Sequence, residues 1–361
     1  MKSFDEVFED KTKYGTKIKT DEYQEEGAHF IIDQGQEQVA GYTNLEKGIF
    51  KDVPAIVFGD HTRVIKYIDK PFFLGADGVK VLKCRLPNAN YKYLYYALRY
   101  AKIPNTGYNR HFKWLKEIKI VYPDDNKQAA IVEILDKVST IIEIQKQQLQ
   151  KLDELVKSRF IELFGDPKQN PKGYPVKEFD EISVLITDGE HATPRRTDKG
   201  IYLLSARNIL NHALQLDDVD YIDEEEYTRI ARRVVPQAGD VLISCSGSIG
   251  RCCVVPEELR FQMVRSAALI RFVDTVKPVF AEWLITSDEL QRQISMSATQ
   301  SSQANLFQGK IRKLRGYVPP MELQEQFAAF VEQTDKSKFA VQQALDKAQL
   351  LFDSLMQKYF G

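Results

Sequence analysis

Cysteine is scarce in this sequence, and long apolar runs are absent. The chain has 361 residues and four cysteines, at positions 84, 245, 252 and 253, which form no Cys-x-x-Cys pair. A zinc site and a disulfide framework are therefore not expected, and the cysteines are expected in the core of a reduced protein. The longest apolar stretches are about half the length of a membrane-spanning helix, and the first residues lack the pattern of a signal peptide. We expect a cytoplasmic protein without membrane contact.

Catalytic motifs are lacking as well. Gly309-Lys310 has neither the upstream glycine nor the following hydroxyl of a phosphate-binding loop. The run SGSIG at 246–250 lacks the spacing of a dinucleotide-binding loop, and we interpret it as a tight turn. Residues 170–174 do not form the Asn-Pro-Pro-Tyr motif with which a base methyltransferase holds a flipped base. We expect neither a catalytic site nor a bound metal or cofactor in this chain.

The net charge is close to zero, but the charges are unevenly distributed. The formal charge is −1 at pH 7. Residues 1–60 hold 7 basic and 13 acidic side chains, whereas residues 61–119 hold 13 and 3. The pattern recurs, with 7 and 13 in residues 170–230 and 12 and 7 in residues 231–318. Because a basic face attracts phosphate whatever the sum over the chain, the repeat predicts two basic-faced domains of one kind.

The sequence also contains an internal repeat. Residues 114–165 align without gaps with residues 310–361, at an offset of 196 and with nine identical positions. Each segment contains a basic strand, a proline, polar capping residues, a long helical pattern and a closing Phe-Gly. The shared order of features predicts a duplication, in which each half is a globular domain followed by a long helix.

The two long helices have a heptad pattern. Apolar residues recur at spacings of three and four over 131–163 and over 327–359, which is typical of a coiled-coil seam. The polar interruptions, which we interpret as positions that hold the register, are Gln145, Thr334 and Lys338. Because an apolar stripe must be buried, we expect the helices to pair with each other in antiparallel fashion. The alternative is that each helix packs on its own globular domain.

The globular segments are expected to mix helices and strands, so the fold class is α/β (α+β-like). Strand-like runs lie at 28–33, 55–58, 63–68, 79–84, 118–122, 201–205, 240–245, 251–255 and 267–273. Helical stretches are expected at 91–101 and 278–294. The expected domains are a globular domain at 1–124, a long helix at 125–165, a second globular domain at 166–320 and a second long helix at 321–361.

Side chains suited to nucleic-acid recognition cluster near the expected turns in both halves. Arg and Lys bind phosphates and guanine edges, Asn and Gln read adenine, and Ser and Thr serve either role. The candidate DNA-contacting residues of the first half are Gln34, Gln36, His61, Thr62, Arg63, Tyr108, Asn109, Arg110, His111 and Lys113. Those of the second half are His191, Thr193, Arg195, Arg196, Arg207, Asn208, Ser246, Ser248, Arg251, Gln303, Asn305, Gln308 and Lys310. Each cluster alone is also compatible with an ordinary polar loop.

Several segments resemble the specificity subunit of type I restriction–modification systems. They are residues 31–43, 58–82, 107–113, 164–167, 186–209, 239–250 and 300–326. The resemblance implies two target-recognition domains, each reading half of a split, asymmetric site in double-stranded DNA, with the helices setting the spacing. It also implies a non-catalytic subunit of a system for DNA methylation and defence against foreign DNA. The implied partners are two DNA-methyltransferase (modification) subunits and restriction/translocase subunits, which would carry S-adenosylmethionine, ATP and Mg²⁺.

Two other functions remain open at this point. The chain could be an interaction scaffold whose globular domains bind protein, although the basic faces argue against it. It could also be a metal-dependent nuclease that uses Asp60 or Asp124, although Asp124 stands where a helix-capping residue is expected.

Overall fold

The computed structural model describes residues 1–75, 77–107, 109–298 and 305–361. Contacts divide the chain into two compact units. Unit 1 comprises Met1–Gln147 and Val341–Gly361, and unit 2 comprises Gln148–Ala340. Within the described ranges, no helix is both long and apolar enough to cross a membrane.

The globular part of unit 1 combines short strands with short helices. Its strands are β1 (Lys2–Ser3), β2 (Phe8–Asp10), β3 (His29–Ile32), β4 (Gly41–Thr43), β5 (Ala55–Gly59), β6 (Ile65–Ile68), β7 (Phe72–Leu74), β8 (Val79–Cys84) and β9 (Lys119–Ile120). Its helices are α1 (Phe4–Val7), α2 (Tyr91–Tyr100) and α3 (Phe112–Leu115), followed by the long α4 (Asp125–Phe164).

The globular part of unit 2 is built in the same way. Its strands are β10 (Val176–Glu178), β11 (Ser183–Asp188), β12 (Ile201–Leu204), β13 (Ile209–Leu210), β14 (Ala213–Leu214), β15 (Asp220–Ile222), β16 (Val241–Ser244), β17 (Cys252–Val254), β18 (Phe261–Met263), β19 (Ala267–Phe272) and β20 (Arg315–Tyr317). Its helices are α5 (Glu224–Ala231), α6 (Pro278–Ile285), α7 (Asp288–Ala298) and α8 (Gln308–Ile311), and the long α9 (Met321–Phe360) follows.

The strand order is repeated from one unit to the other. Unit 1 has a four-stranded sheet of order β2-β8-β5-β6 and a three-stranded sheet of order β4-β3-β7. Unit 2 has the corresponding sheets β11-β19-β16-β17 and β15-β12-β18, and in both three-stranded sheets the last pair, β3 with β7 or β12 with β18, is parallel. The predicted duplication and the mixed fold class are therefore confirmed. The hairpin β13-β14 and helix α5 are additions in unit 2.

One predicted helix is interrupted. The stretch 278–294 was expected to be continuous, but it forms α6 and α7 with a break at Thr286-Ser287. The Thr286 hydroxyl donates to Trp283 O at 3.1 Å, and the Ser287 hydroxyl donates to Leu284 O at 2.6 Å. These side chains satisfy carbonyls at the end of α6, because short hydroxyl side chains compete with the helical hydrogen-bond pattern.

The cores of the units include three of the cysteines. Cys245, Cys252 and Cys253 are buried, and Cys84 is half-buried. Burial raises the pKa of the Cys245 thiol to about 12, so the side chain stays protonated and acts as a small apolar group. The expectation that the cysteines lie in the core is confirmed for these three.

The long helices contribute to the core of each unit. In unit 1, Ile131, Leu135 and Ile142 of α4 share one apolar cluster with Phe352 and Phe360 of α9. Early residues of one helix therefore lie with late residues of the other, as in an antiparallel pair.

In unit 2, the late residues of α4 lie with the early residues of α9. The Phe164 and Phe327 rings lie 5.5 Å apart, and Lys338 Nζ lies 2.6 Å from Asp153 Oδ1. As the residue number rises along α4, the number of the residue that it contacts on α9 falls. The predicted antiparallel pairing is confirmed within each unit.

The register of the pairing follows from the segments that meet in each unit. Val156 shares a cluster with Phe327 and Val331 in unit 2, and Phe352 shares one with Val138 in unit 1. Heptads repeat identically along a helix, so they cannot distinguish one antiparallel register from another.

Candidate DNA interface

In unit 1, the candidate residues lie on loops that follow β3 and β5 and that precede α3. The Gln34 side chain holds the first two loops together. Its Oε1 accepts a hydrogen bond from the His61 amide at 3.1 Å, and its Nε2 donates to Asp77 O at 3.1 Å. The Thr62 hydroxyl donates to Gln34 O at 2.6 Å. The structure thus brings together three segments that are distant in sequence.

Basic side chains of this loop set lie near the Asp77 carboxylate. Lys17 Nζ lies 3.0 Å from its Oδ1. The hydrogen bond and charge of Lys17 lower the pKa of the Asp77 carboxyl, and the nearby charges of Arg110 and His61 act in the same direction. Arg110 and His61, which were predicted separately, therefore face the same carboxylate. Gln36, Arg110 and Lys113 are exposed.

His111, by contrast, is fully buried. Its Nδ1 lies 3.0 Å from Asp60 O, and its amide donates to the same carbonyl at 2.8 Å. The Asp60 carboxylate, also buried, accepts a hydrogen bond from the Phe112 amide at 2.7 Å. These contacts fasten the start of α3 to the end of β5. They place His111 inside the loop set and leave its neighbours Arg110 and Lys113 on the surface.

Two further candidates of unit 1 are fixed by backbone carbonyls. Arg63 adopts a positive φ of 63°, and its Nη1 donates to Ile103 O at 3.2 Å. Asn109 is exposed and its amide group donates to Thr106 O. Tyr108 and, in the second half, Gln303 lie outside the described residues.

In unit 2, the predicted arginines are paired with carboxylates on the surface. Arg195 Nη2 lies 2.8 Å from Asp223 Oδ2, and Arg196 Nε lies 3.0 Å from Asp220 Oδ2. Arg207 Nη2 lies 3.1 Å from Asp220 Oδ1. Exposed ion pairs of this kind contribute only about 0–1 kcal/mol, so a phosphate group can compete for these guanidinium groups at little cost.

The Asn208 side chain has a structural role, because it holds neighbouring backbone groups together. It is buried, its Oδ1 accepts from the Ser205 amide at 2.9 Å, and its Nδ2 donates to Gln215 O and Asp218 O at 3.0 and 2.9 Å. Ser246 and Arg251 are half-buried, whereas Thr193 and Ser248 are exposed. Asn305, Gln308 and Lys310 are half-buried at the start of α8.

Sequence reasoning missed Asp188 and Arg233. The Asp188 carboxylate accepts hydrogen bonds from His191, Arg233 and Gln308, which belong to three different segments of unit 2. Burial opposes its ionisation, but the hydrogen bonds from His191 and Gln308 and the charge of Arg233 outweigh burial and lower the pKa of Asp188. The local sequence pointed to this cluster only through the aspartate that stands three residues before His191.

The two loop sets correspond in topology. The loops after β3 and β12 are equivalent in the repeated three-stranded sheets, and those after β5 and β16 are equivalent in the four-stranded sheets. Helices α3 and α8 begin at 112 and 308, at the offset of 196 found in the sequence. The unit 2 candidates that therefore lie at places equivalent to those of the unit 1 candidates are Arg207, Asn208, Ser246, Ser248, Arg251, Gln308 and Lys310. The candidates at 191–196 follow β11 and lack such a counterpart among the unit 1 candidates.

The geometry gives little support to the alternative of a metal-dependent nuclease. Among the described residues, no group of three or more His, Cys, Asp or Glu side chains is arranged to hold a metal ion. Asp60 holds the start of α3, and Asp124 Oδ1 accepts from the Lys127 amide at 2.9 Å as the cap of α4.

Comparison with known proteins finds a family likeness in the first 154 residues of the chain. Residues 1–154 match the family model of the type I restriction modification DNA specificity domain. The resemblance to type I specificity subunits is confirmed. The specificity subunit of the Escherichia coli type I restriction enzyme EcoR124I/EcoR124II is 29% identical over 147 residues. This alignment spans 37% of the chain and 36% of that relative, or about a third of its length.

Solved structures share the fold of the specificity domain and of the rest of the chain. The crystal structure of a type I restriction–modification S subunit from M. genitalium has a TM-score of 0.64 at 17% identity, covering 100% of this chain and 95% of that one. A chain from a structure of type I R-M complex assembly and conformational transition has a TM-score of 0.54 at 14% identity, covering 99% and 95%. At these identities, the likeness establishes the fold.

Proposed function

We propose that this chain is the DNA specificity subunit of a type I restriction–modification system. The observation that carries the proposal is the match of residues 1–154 to the specificity-domain family, together with the repetition of the unit 1 strand order in unit 2. Each unit would read one half of a bipartite, asymmetric DNA target. The chain itself would be non-catalytic, with S-adenosylmethionine, ATP and Mg²⁺ bound by partner subunits.

The exposed members of the two loop sets are the proposed DNA contacts. They are Gln36, Thr62, Asn109, Arg110, Lys113, His191, Thr193, Arg195, Arg196, Arg207 and Ser248. Buried His111 and Asn208 would act by holding the loops in place. Basic side chains would contact phosphates and position the duplex, and the amide, hydroxyl and imidazole groups would contact bases.

Binding of the purified chain to duplex DNA tests the proposal. We expect affinity that falls steeply with salt, because each phosphate contact releases counterions, and enrichment of one bipartite sequence from a random duplex library. R110A/K113A should weaken binding, whereas K146A, which removes an exposed lysine of α4, should not. If the purified chain enriched no particular sequence from the library, the proposal would be contradicted.

The long helices are the proposed docking site for two modification subunits. Large apolar side chains remain exposed on their outer faces, among them Ile141 and Ile144 in unit 1 and Phe339 in unit 2. Exposed apolar residues of this size favour a partner surface. I141E/I144E should abolish co-purification with the modification subunit and leave DNA binding unchanged. The control Q148E, at an exposed position on the same helix, should leave both co-purification and DNA binding unchanged. Retained co-purification of I141E/I144E would contradict this docking site.

A further inference from the structure

Asp188 is the meeting point of three polar side chains at the end of β11. His191 Nε2 lies 2.7 Å from its Oδ2. Its other oxygen, Oδ1, accepts from Arg233, which follows α5, and from Gln308, which begins α8. One carboxylate thus ties together parts of the loop set that are 45 and 120 residues away in the sequence.

The backbone that carries His191 is held rigidly. A Cβ atom at Gly189 would lie 2.3 Å from Met263 O and 2.5 Å from Val264 C, so only glycine fits this close approach. The Gly189 amide donates to Ala267 O at 3.0 Å, and the Glu190 amide donates to Met263 O at 2.8 Å. His191 is therefore presented from a fixed turn, and its side chain is 57% exposed.

The contact with Asp188 determines which ring nitrogen of His191 carries hydrogen. An ionised carboxylate can only accept hydrogen bonds, and the lowered pKa of Asp188 keeps it ionised at neutral pH. Nε2 must therefore be the donor in the 2.7 Å contact. In the neutral imidazole the other nitrogen, Nδ1, is then a hydrogen-bond acceptor.

We propose that His191 Nδ1 accepts a hydrogen bond from the exocyclic amino group of an adenine or a cytosine in the half-site read by unit 2, with Asp188 as the positioning residue. The inference rests on the proposed function and adds the base chemistry at one position. In the major groove, adenine N6 and cytosine N4 are donors, whereas guanine N7 and O6 and thymine O4 are acceptors. An acceptor on His191 would therefore disfavour guanine and thymine at the position that it faces.

Library selection with the full chain tests this assignment. Wild-type protein and the variants H191A, D188N and D180N would be used to select bound duplexes from a library randomised over both half-sites. H191A should lose preference at one base position by roughly 5- to 100-fold, the range expected for one specific base contact. D188N should weaken the same preference, because an amide at position 188 can donate or accept and no longer fixes the ring.

D180N is the matched control. It removes one carboxylate and its ion pair with Arg312 in the same unit without touching His191, so it should leave the base preference unchanged. Thermal unfolding of all four proteins would show that the variants are folded.

A base analogue then identifies the amino group itself. If the read base is adenine, a duplex with purine in its place lacks the N6 amino group, and if it is cytosine, pyrimidin-2-one lacks the N4 amino group. Wild-type binding should weaken with the analogue, and H191A should bind the analogue and the natural duplex equally.

Two results would overturn the inference while leaving the proposed function intact: a sequence preference that H191A retains, or a lost preference for guanine or thymine. A wild-type chain that selects no sequence would instead remove the proposed function on which the inference rests.

Discussion

Lys338 of α9 forms an ion pair with Asp153 of α4 inside unit 2, with 2.6 Å between Nζ and Oδ1. The heptad pattern had identified Lys338 as an interruption of the apolar seam. Its side chain is 23% exposed, so the charge lies beside the helix interface and still reaches water. The ion pair connects one turn of α4 to one turn of α9, and only one antiparallel register brings these two turns together.

A double-mutant cycle of K338A and D153A should therefore reveal coupling of about 0.5–1 kcal/mol in the free energy of unfolding, the upper range for partly exposed pairs. The Lys336–Glu332 pair on α9 is the control, because it is exposed and lies within one helix. We expect about 0.3–0.5 kcal/mol there. Equal coupling in both cycles, measured by denaturant unfolding, would contradict a role in register.

His111 and its neighbours should separate into two phenotypes. H111A should lower the free energy of unfolding by about 1–3 kcal/mol, because it leaves buried hydrogen-bonding groups around Asp60 unsatisfied. R110A/K113A should leave stability unchanged and weaken DNA binding with a shallower salt dependence. Denaturant titrations and binding assays at several salt concentrations measure the two effects. If H111A were as stable as wild type, or if R110A/K113A bound DNA as tightly as wild type, this division into a structural and a DNA-contacting group would be wrong.

Asp188 should make the stability of unit 2 depend on pH. Because its pKa is lowered in the folded state, its contribution is present above the pKa of the unfolded chain and is lost as the pH falls through the folded pKa. D188N should therefore be less stable than wild type near pH 7, and the difference should shrink toward pH 3. Urea unfolding of both proteins across this range measures it. A difference that does not change with pH would indicate lost packing instead of lost charge.

The proposed spacing role of the long helices can be tested by matched insertions. One heptad added after Gln147 and another after Ala340 fall at the boundaries between the units, so the internal contacts of each unit are kept. Seven residues lengthen a helix by about 10 Å, or about three base pairs at 3.4 Å each. The preferred gap between half-sites should grow by about that amount, and the half-site sequences should stay the same. Methylome sequencing reads both, and an unchanged gap in a folded variant would exclude the spacing role.

The features that the sequence predicted well are those with local causes. Both long helices, Asp125–Phe164 and Met321–Phe360, follow a proline and run to a terminal Phe-Gly, and these residues act on their immediate neighbours. The duplication also followed from local order, since the same run of features occurs twice. Strands such as β8 and β19 were visible as short apolar runs between turns.

The features that were missed depend on contacts between distant segments. No local pattern shows that Arg195 meets Asp223, that His111 is buried against Asp60, or that Asp188 binds Gln308. The register of α4 against α9 was not predicted from the sequence, because the heptads repeat and only the packing of each unit selects among equivalent alignments. The residue types of the candidate interface were therefore predictable, and their division into exposed and buried groups was not.

The discontinuous composition of unit 1 has a consequence for the order in which the chain can fold during synthesis. Unit 2 is one uninterrupted stretch, 148–340, and all of it is translated before the last segment of unit 1. Phe352, Met356 and Phe360 belong to the same core as Phe4, although nearly the whole chain separates them. Residues 1–147 must therefore wait for residues 341–361, and the core of unit 1 closes only after the whole of unit 2 has been translated.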